Sequence, residues 1–185
     1  MEPWKPRKGL LKKRTINTTF EPMERELLGD AAADLCNALI ERQRSAPKDV
    51  LEEMTGISSG HSEKPEDPGL ARLLPDFETS EAEEFEGDNG MLRQLHEPDI
   101  ISQKLTNLRY IVDALGPDGS VNVSLTYDDV PRWLAGLNDI RTYKAAAFID
   151  DEGHLPEAGP DAGFDRNFVE WLAVCQESLL EAWRS

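Results

Sequence analysis

The sequence predicts a mainly α-helical single domain of several helices, with a small two-stranded β element formed by residues near 15–20 and 120–126. Three observations carry this. Apolar residues recur at helical spacing in three long stretches, 22–44, 98–115 and 164–184. Two short runs alternate instead, rich in β-branched residues. The composition, 39% apolar and 30% charged over 185 residues, suits one soluble globular unit. A chain of this length buries roughly 70% of the surface its unfolded form exposes, so a core forms without metal or disulfide staples.

The chain opens with a basic N-terminal segment, residues 1–14, MEPWKPRKGLLKKR. Lys5, Arg7, Lys8, Lys12, Lys13 and Arg14 are opposed there only by Glu2, although the whole chain carries a net charge of -16. Residues 15–185 are expected to form the helical domain. TINTTF (15–20) sets Ile16, Thr18 and Phe20 against Thr15, Asn17 and Thr19 and reads as a strand. A long helix follows. Pro22 fits its first position, where a missing N–H costs nothing. Glu21, Glu24 and Glu26 sit at its positive end and Arg42 and Arg44 at its negative end. Met23, Leu27, Ala31, Leu35 and Leu39 form one apolar stripe.

A short helix is predicted at KDVLEEM (48–54), ended by Gly56. An acidic linker is expected near 57–90. Its first part is rich in Ser, Gly and Pro; LARLLP (70–75) makes one helical turn stopped by Pro75; DFETSEAEEFEGD (76–88) is acidic throughout, with Ser80 and Glu83 spaced as a capping box. MLRQLH and then 98–115 read as helix, with Pro98 at a start and Ile101, Leu105, Leu108, Val112 and Leu115 on one face. After the turn GPDG, SVNVSLT (120–126) alternates Val121, Val123 and Leu125 as the second strand. The two strands are each other's best partners, since isolated strands leave backbone groups unpaired. The helix from Tyr127 tolerates Pro131 only in its first turn. Residues 149–162 read as loop, and 164–184 as a final helix with Phe164, Phe168, Leu172, Cys175, Leu179 and Trp183 on one face.

The charge balance narrows function. An acidic body repels phosphate, and affinity for nucleic acid comes largely from Lys and Arg. Any such contact must use a local basic feature, and the opening segment is the one available. A solvated tail, or a segment lying against the acidic 76–88 run, is the plainer reading. No apolar run approaches the ~20 residues of a membrane span, and no signal peptide is evident. The chain is therefore expected in the cytoplasm, with no membrane partner and with reduced thiols. His61, His96 and His154 are scattered without metal-ligand spacing. Neither a metal, another cofactor nor an enzymatic activity is expected. Cys36 and Cys175 lie on the first and last long helices, with no Cys-x-x-Cys. Their plain reading is two buried thiols acting as small hydrophobes.

FEPMERELL, EDPGLARLLPDF, VPRWLAGLNDIR and VEWLAVCQESL, in that order along the chain, resemble an actinobacterial family of oxidative-stress regulators (AosR/OsnR-like), formerly catalogued as a domain of unknown function. The resemblance implies a redox-responsive regulator of transcription in the oxidative or thiol stress response. It raises Cys36 and Cys175 to redox candidates, and the basic segment to the contact for promoter DNA, RNA polymerase or a sigma factor, with a homodimer left open. No helix-turn-helix is recognisable. The alternative is an adaptor that binds no DNA, engages a sigma factor or protease component, and keeps its thiols for structure.

Overall fold

The computed structural model describes residues 1–7, 14–47, 60–77, 86–115, 121–146 and 162–185. The predicted helix at 48–54, Lys8, Lys12, Lys13, His154 and residues 78–85 of the acidic run lie outside them. The described elements are β1 (Lys5–Arg7), β2 (Thr15–Thr19), α1 (Pro22–Arg44), α2 (Pro68–Leu73), α3 (Glu86–Leu115), β3 (Asn122–Thr126), α4 (Val130–Ala145) and α5 (Ala162–Arg184). The protein is mainly α-helical, as the periodicity predicts.

The sheet corrects the two-stranded expectation. It has three antiparallel strands in the order β1-β2-β3. The predicted pair is present, with Ile16 opposite Leu125, Asn17 opposite Ser124 and Thr18 opposite Val123. The added strand comes from the basic segment itself, with Lys5 opposite Asn17 and Arg7 opposite Thr15. Side chains alternate across a strand. One face therefore buries Ile16, Thr18, Val123 and Leu125, and the other carries the polar and charged positions.

Trp4, just before β1, closes this core. It is 4% exposed and stands edge-on to Phe20 and Trp133, with ring centroids 6.2 and 5.6 Å away. Its backbone N–H donates to Ser178 Oγ on α5 at 3.0 Å. The beginning of the chain is thus built into the same core as the helices.

α1 starts at Pro22, and the Glu24 carboxylate accepts the Glu21 backbone N–H at 2.8 Å. Its stripe buries Leu28, Ala31, Ala32, Leu35 and Leu39. Met23, assigned to that stripe by sequence, is exposed instead. α1 packs on α3, α3 on α4 and α4 on α5, with α2 against α4. Two glycines permit close approaches. A Cβ at Gly69 would lie 2.3 Å from the Tyr143 ring, and one at Gly136 2.7 Å from Ile111 Cδ1.

α3 also departs from expectation. It begins at Glu86, so Pro98 lies inside the helix. Proline removes the hydrogen bond to the carbonyl four residues back, which here is Gln94. The Gly60 N–H donates to that carbonyl at 2.8 Å, so a distant loop replaces the lost bond.

Candidate functional site

The basic segment's described residues lie at the sheet. Lys5 and Arg7 are exposed on β1, and their cross-strand partners place them on the outer face with Asn17 and Thr15. The adjoining positions of β3 are Ser124 and Thr126. Arg14 stands over the Tyr127 ring, 5.1 Å from its centroid, next to the Thr15–Thr126 end. The outward positions of the three strands carry two cations, amides and hydroxyls, and no carboxylate. A shallow groove of about 290 Å³ runs over this face, with Glu2 and Pro3 at one edge.

Hydrogen bonds organise the polar groups. Asn17 Oδ1 accepts from Thr15 Oγ1 at 3.0 Å and from Ser124 Oγ at 3.4 Å. Asn122 Oδ1 accepts from Thr19 Oγ1 at 3.0 Å. These bonds fix the amides against the strands, so the face is preformed. It can offer hydrogen-bond donors and positive charge to an anionic, polar surface.

The two cysteines are both free and lie apart. Cys175 is 1% exposed on α5, and its thiol donates to Met1 Sδ at 3.4 Å. Burial, with the Glu24 charge adding to it, pushes this thiol up to about 12, so it stays protonated at neutral pH. The Met1 ammonium pairs with Glu24, whose Oε1 also accepts from Trp171 Nε1 at 3.0 Å. Burial alone would raise the Glu24 carboxyl; the ammonium, the Glu21 N–H and the indole outweigh it and hold it below the usual range. Cys175 therefore sits at the Glu24 end of α1. Cys36 lies twelve residues further along that helix, about 18 Å at 1.5 Å per residue. A disulfide needs Cα atoms roughly 4.4–6.8 Å apart, so this arrangement does not bring the pair together. Cys36 is half-buried, and burial raises its pKa as well.

Sequence reasoning missed a buried ionic chain. Arg93 and Glu97 are each 2% exposed and pair at 2.9 Å across one helical turn. Arg42 of α1 reaches the same Glu97 at 2.8 Å. Arg93 further donates to Leu74 O at 2.9 Å and to Asp76 at 2.7 Å, and Arg42 donates to Glu63 O. The chain ties α1, α3 and the segment around α2 into one body. The i,i+4 spacing of Arg93 and Glu97 is the only trace of it in the sequence.

Nothing in these groups forms a catalytic constellation. His61 contacts Arg42 O at 2.9 Å and Ser45 Oγ at 3.1 Å, closing the end of α1. His96 packs on Phe77. Asp139 is buried against Lys104 Nζ at 2.8 Å. Among the described residues, no group of three or more His, Cys, Asp or Glu could hold a metal ion, and no helix is long and apolar enough to cross a membrane.

Comparison with known proteins agrees with the sequence resemblance. An oxidative stress regulator, AosR, of Mycobacterium tuberculosis (strain ATCC 25618 / H37Rv) is 36% identical over 177 residues, covering 89% of this chain and 80% of the relative. A putative oxidative stress regulator AosR of Mycobacterium leprae (strain TN) is 34% identical over 179 residues, covering 90% and 82%. No solved structure matches the chain. Residues 1–183 match the family described as a domain of unknown function, DUF2017, and the protein belongs to that family.

Proposed function

We propose that this protein is a regulator of the oxidative-stress response that acts on duplex DNA through the outer face of its sheet. The regulatory role rests on the relatives, which are named as oxidative stress regulators; those names describe a regulator rather than a catalyst. The DNA contact rests on one observation: Lys5 and Arg7 are held in register on a sheet face whose strand positions carry no carboxylate, in a chain with a net charge of -16. Segregating cations on one face lets an acidic protein approach phosphate from that side alone. Of the two thiols, Cys36 is the accessible one and the better redox candidate.

The test is a titration of a labelled duplex at increasing salt. Each phosphate contact contributes about 0.9 to the slope of log affinity against log salt. Lys5→Ala with Arg7→Ala should weaken binding to every sequence and reduce the slope by about 1.8. An unchanged slope removes the sheet face from the contact. Absence of duplex binding by the wild type leaves the adaptor reading, in which the protein engages a sigma factor or a protease component and keeps its thiols for structure. The burial of Cys175 against Met1 already suits a structural thiol.

A further inference from the structure

We infer that Asn17 reads base edges in the major groove of duplex DNA, and that its amide, offering donors only, selects guanine. This rests on the DNA-binding reading above and specifies it.

The register supplies the first argument. The major groove admits a two-stranded β-ribbon. β2 and β3 form such a ribbon, and its outward positions are uncharged. β1 lies one strand further out, about 4.8 Å away, and bears Lys5 and Arg7. Readers thus occupy the ribbon while cations lie towards the phosphate rim. Glu2 borders the groove near Thr19, with its N–H on Thr19 O at 2.8 Å. It repels phosphate at that end and directs the backbone contact to the Arg7 end, where Arg14 also stands. No aromatic side chain occupies an outward position of the three strands. Single-stranded bases, which bind largely by stacking on aromatic rings, find no platform here.

The second argument is the state of the Asn17 amide. An amide oxygen has two lone pairs and an amide nitrogen two donors. Thr15 Oγ1 and Ser124 Oγ both donate to Oδ1, which occupies its acceptor sites. Among the described residues, the Asn17 NH₂ group has no acceptor given to it. In the major groove guanine presents two neighbouring acceptors, N7 and O6, whereas adenine pairs its N7 with an N6 donor. Two outward donors complement guanine and meet the adenine N6 group donor to donor.

The experiment captures duplexes with a randomised core on the full chain and sequences those retained. The wild type should enrich guanine at one position by on the order of tenfold, as expected for one good base contact. Asn17→Ala should lose that preference while keeping the salt slope. Asn17→Asp keeps the shape of the side chain and replaces the donors with acceptors, so the preference should move to cytosine, whose N4 amino group donates. Lys5→Ala with Arg7→Ala should lower affinity without changing the preferred base. A wild type that binds the pool with a salt slope but enriches no base overturns the assignment of Asn17 alone. So does an Asn17→Ala variant that enriches the same motif. A wild type that retains no duplex overturns the DNA-binding reading, and this inference with it.

Discussion

Trp4 links the stability of the fold to the proposed contact. Trp4→Ala removes an indole that fills the space between Phe20 and Trp133. Truncating a buried Trp to Ala costs about 3–5 kcal/mol, and each kcal/mol moves the melting temperature of a chain this size by about 2–4 °C, so a fall of roughly 6–20 °C is expected. Trp4→Phe should behave differently. The indole Nε1 is buried with no hydrogen-bond partner among the described residues. Burying an unsatisfied donor costs about 1–3 kcal/mol, and removing it offsets much of the lost volume. The Phe variant should therefore fall within about 1.5 kcal/mol of wild type. β1 begins directly after this anchor, so freeing Trp4 frees Lys5 and Arg7 from the sheet. At a temperature where Trp4→Ala is folded, its salt slope on duplex should drop by up to about 1.8, although no charge has changed. Urea melts and salt titrations measure the two effects. A loss below about 1 kcal/mol would refute the anchoring argument. An intact slope in this variant, alongside a reduced one in the Lys5/Arg7 double variant, would refute the link to binding.

Three further outcomes follow from other sites. Gly60→Ala places a Cβ 3.0 Å from Pro98 Cδ and 3.1 Å from Arg93 O; because one neighbour is helix backbone, the change should lower the urea-derived stability by about 1–3 kcal/mol, and a neutral result would show that the loop can shift off α3. Under native conditions an alkylating reagent should modify Cys36 slowly and Cys175 only on unfolding, since burial raises both thiols and pushes Cys175 to about 12; mass spectrometry showing Cys175 modified as fast as a free thiol would contradict its placement. Burial raises the Asp139 carboxyl above its ordinary range, against the lowering effect of Lys104. A raised folded pKa means a contribution that is full below the unfolded value of about 3.9 and lost as pH rises through the folded one. The stability of wild type relative to Asp139→Asn should therefore decline from acid towards neutral pH, and a constant difference would oppose this.

The helices and the β2–β3 pair were legible because their signals are local and periodic. Ile16, Thr18, Val123 and Leu125 alternate, and their burial follows. β1 was missed because Lys-Pro-Arg has no apolar residue to bury and contains a strand-breaking proline; its true signal was Trp4, the apolar residue just before it. Pro98 was misread as a helix start because its lost hydrogen bond is restored by Gly60, which no local rule can foresee. The same holds for Arg93. Charged residues read as solvated, and only the meeting of α1 with α3 brings Arg42 and Glu97 together. The basic segment was visible as charge, but its orientation came from pairing register. The cysteines lay on the expected helices, yet nothing in their positions along the chain encodes how far apart those helices hold them.

The pairing of β2 with β3 has a kinetic consequence. Most of the helical body lies between the two strands in the chain, so joining them closes a long loop. Such non-local contacts repay their entropy late and are slow to form. The helices can collapse on one another first, while the outer face of the sheet exists only once both distant strands have docked and β1 has been added at the edge. The outer face is then completed in the last folding step and lost in the first unfolding one, and the contact proposed for it would follow the same order.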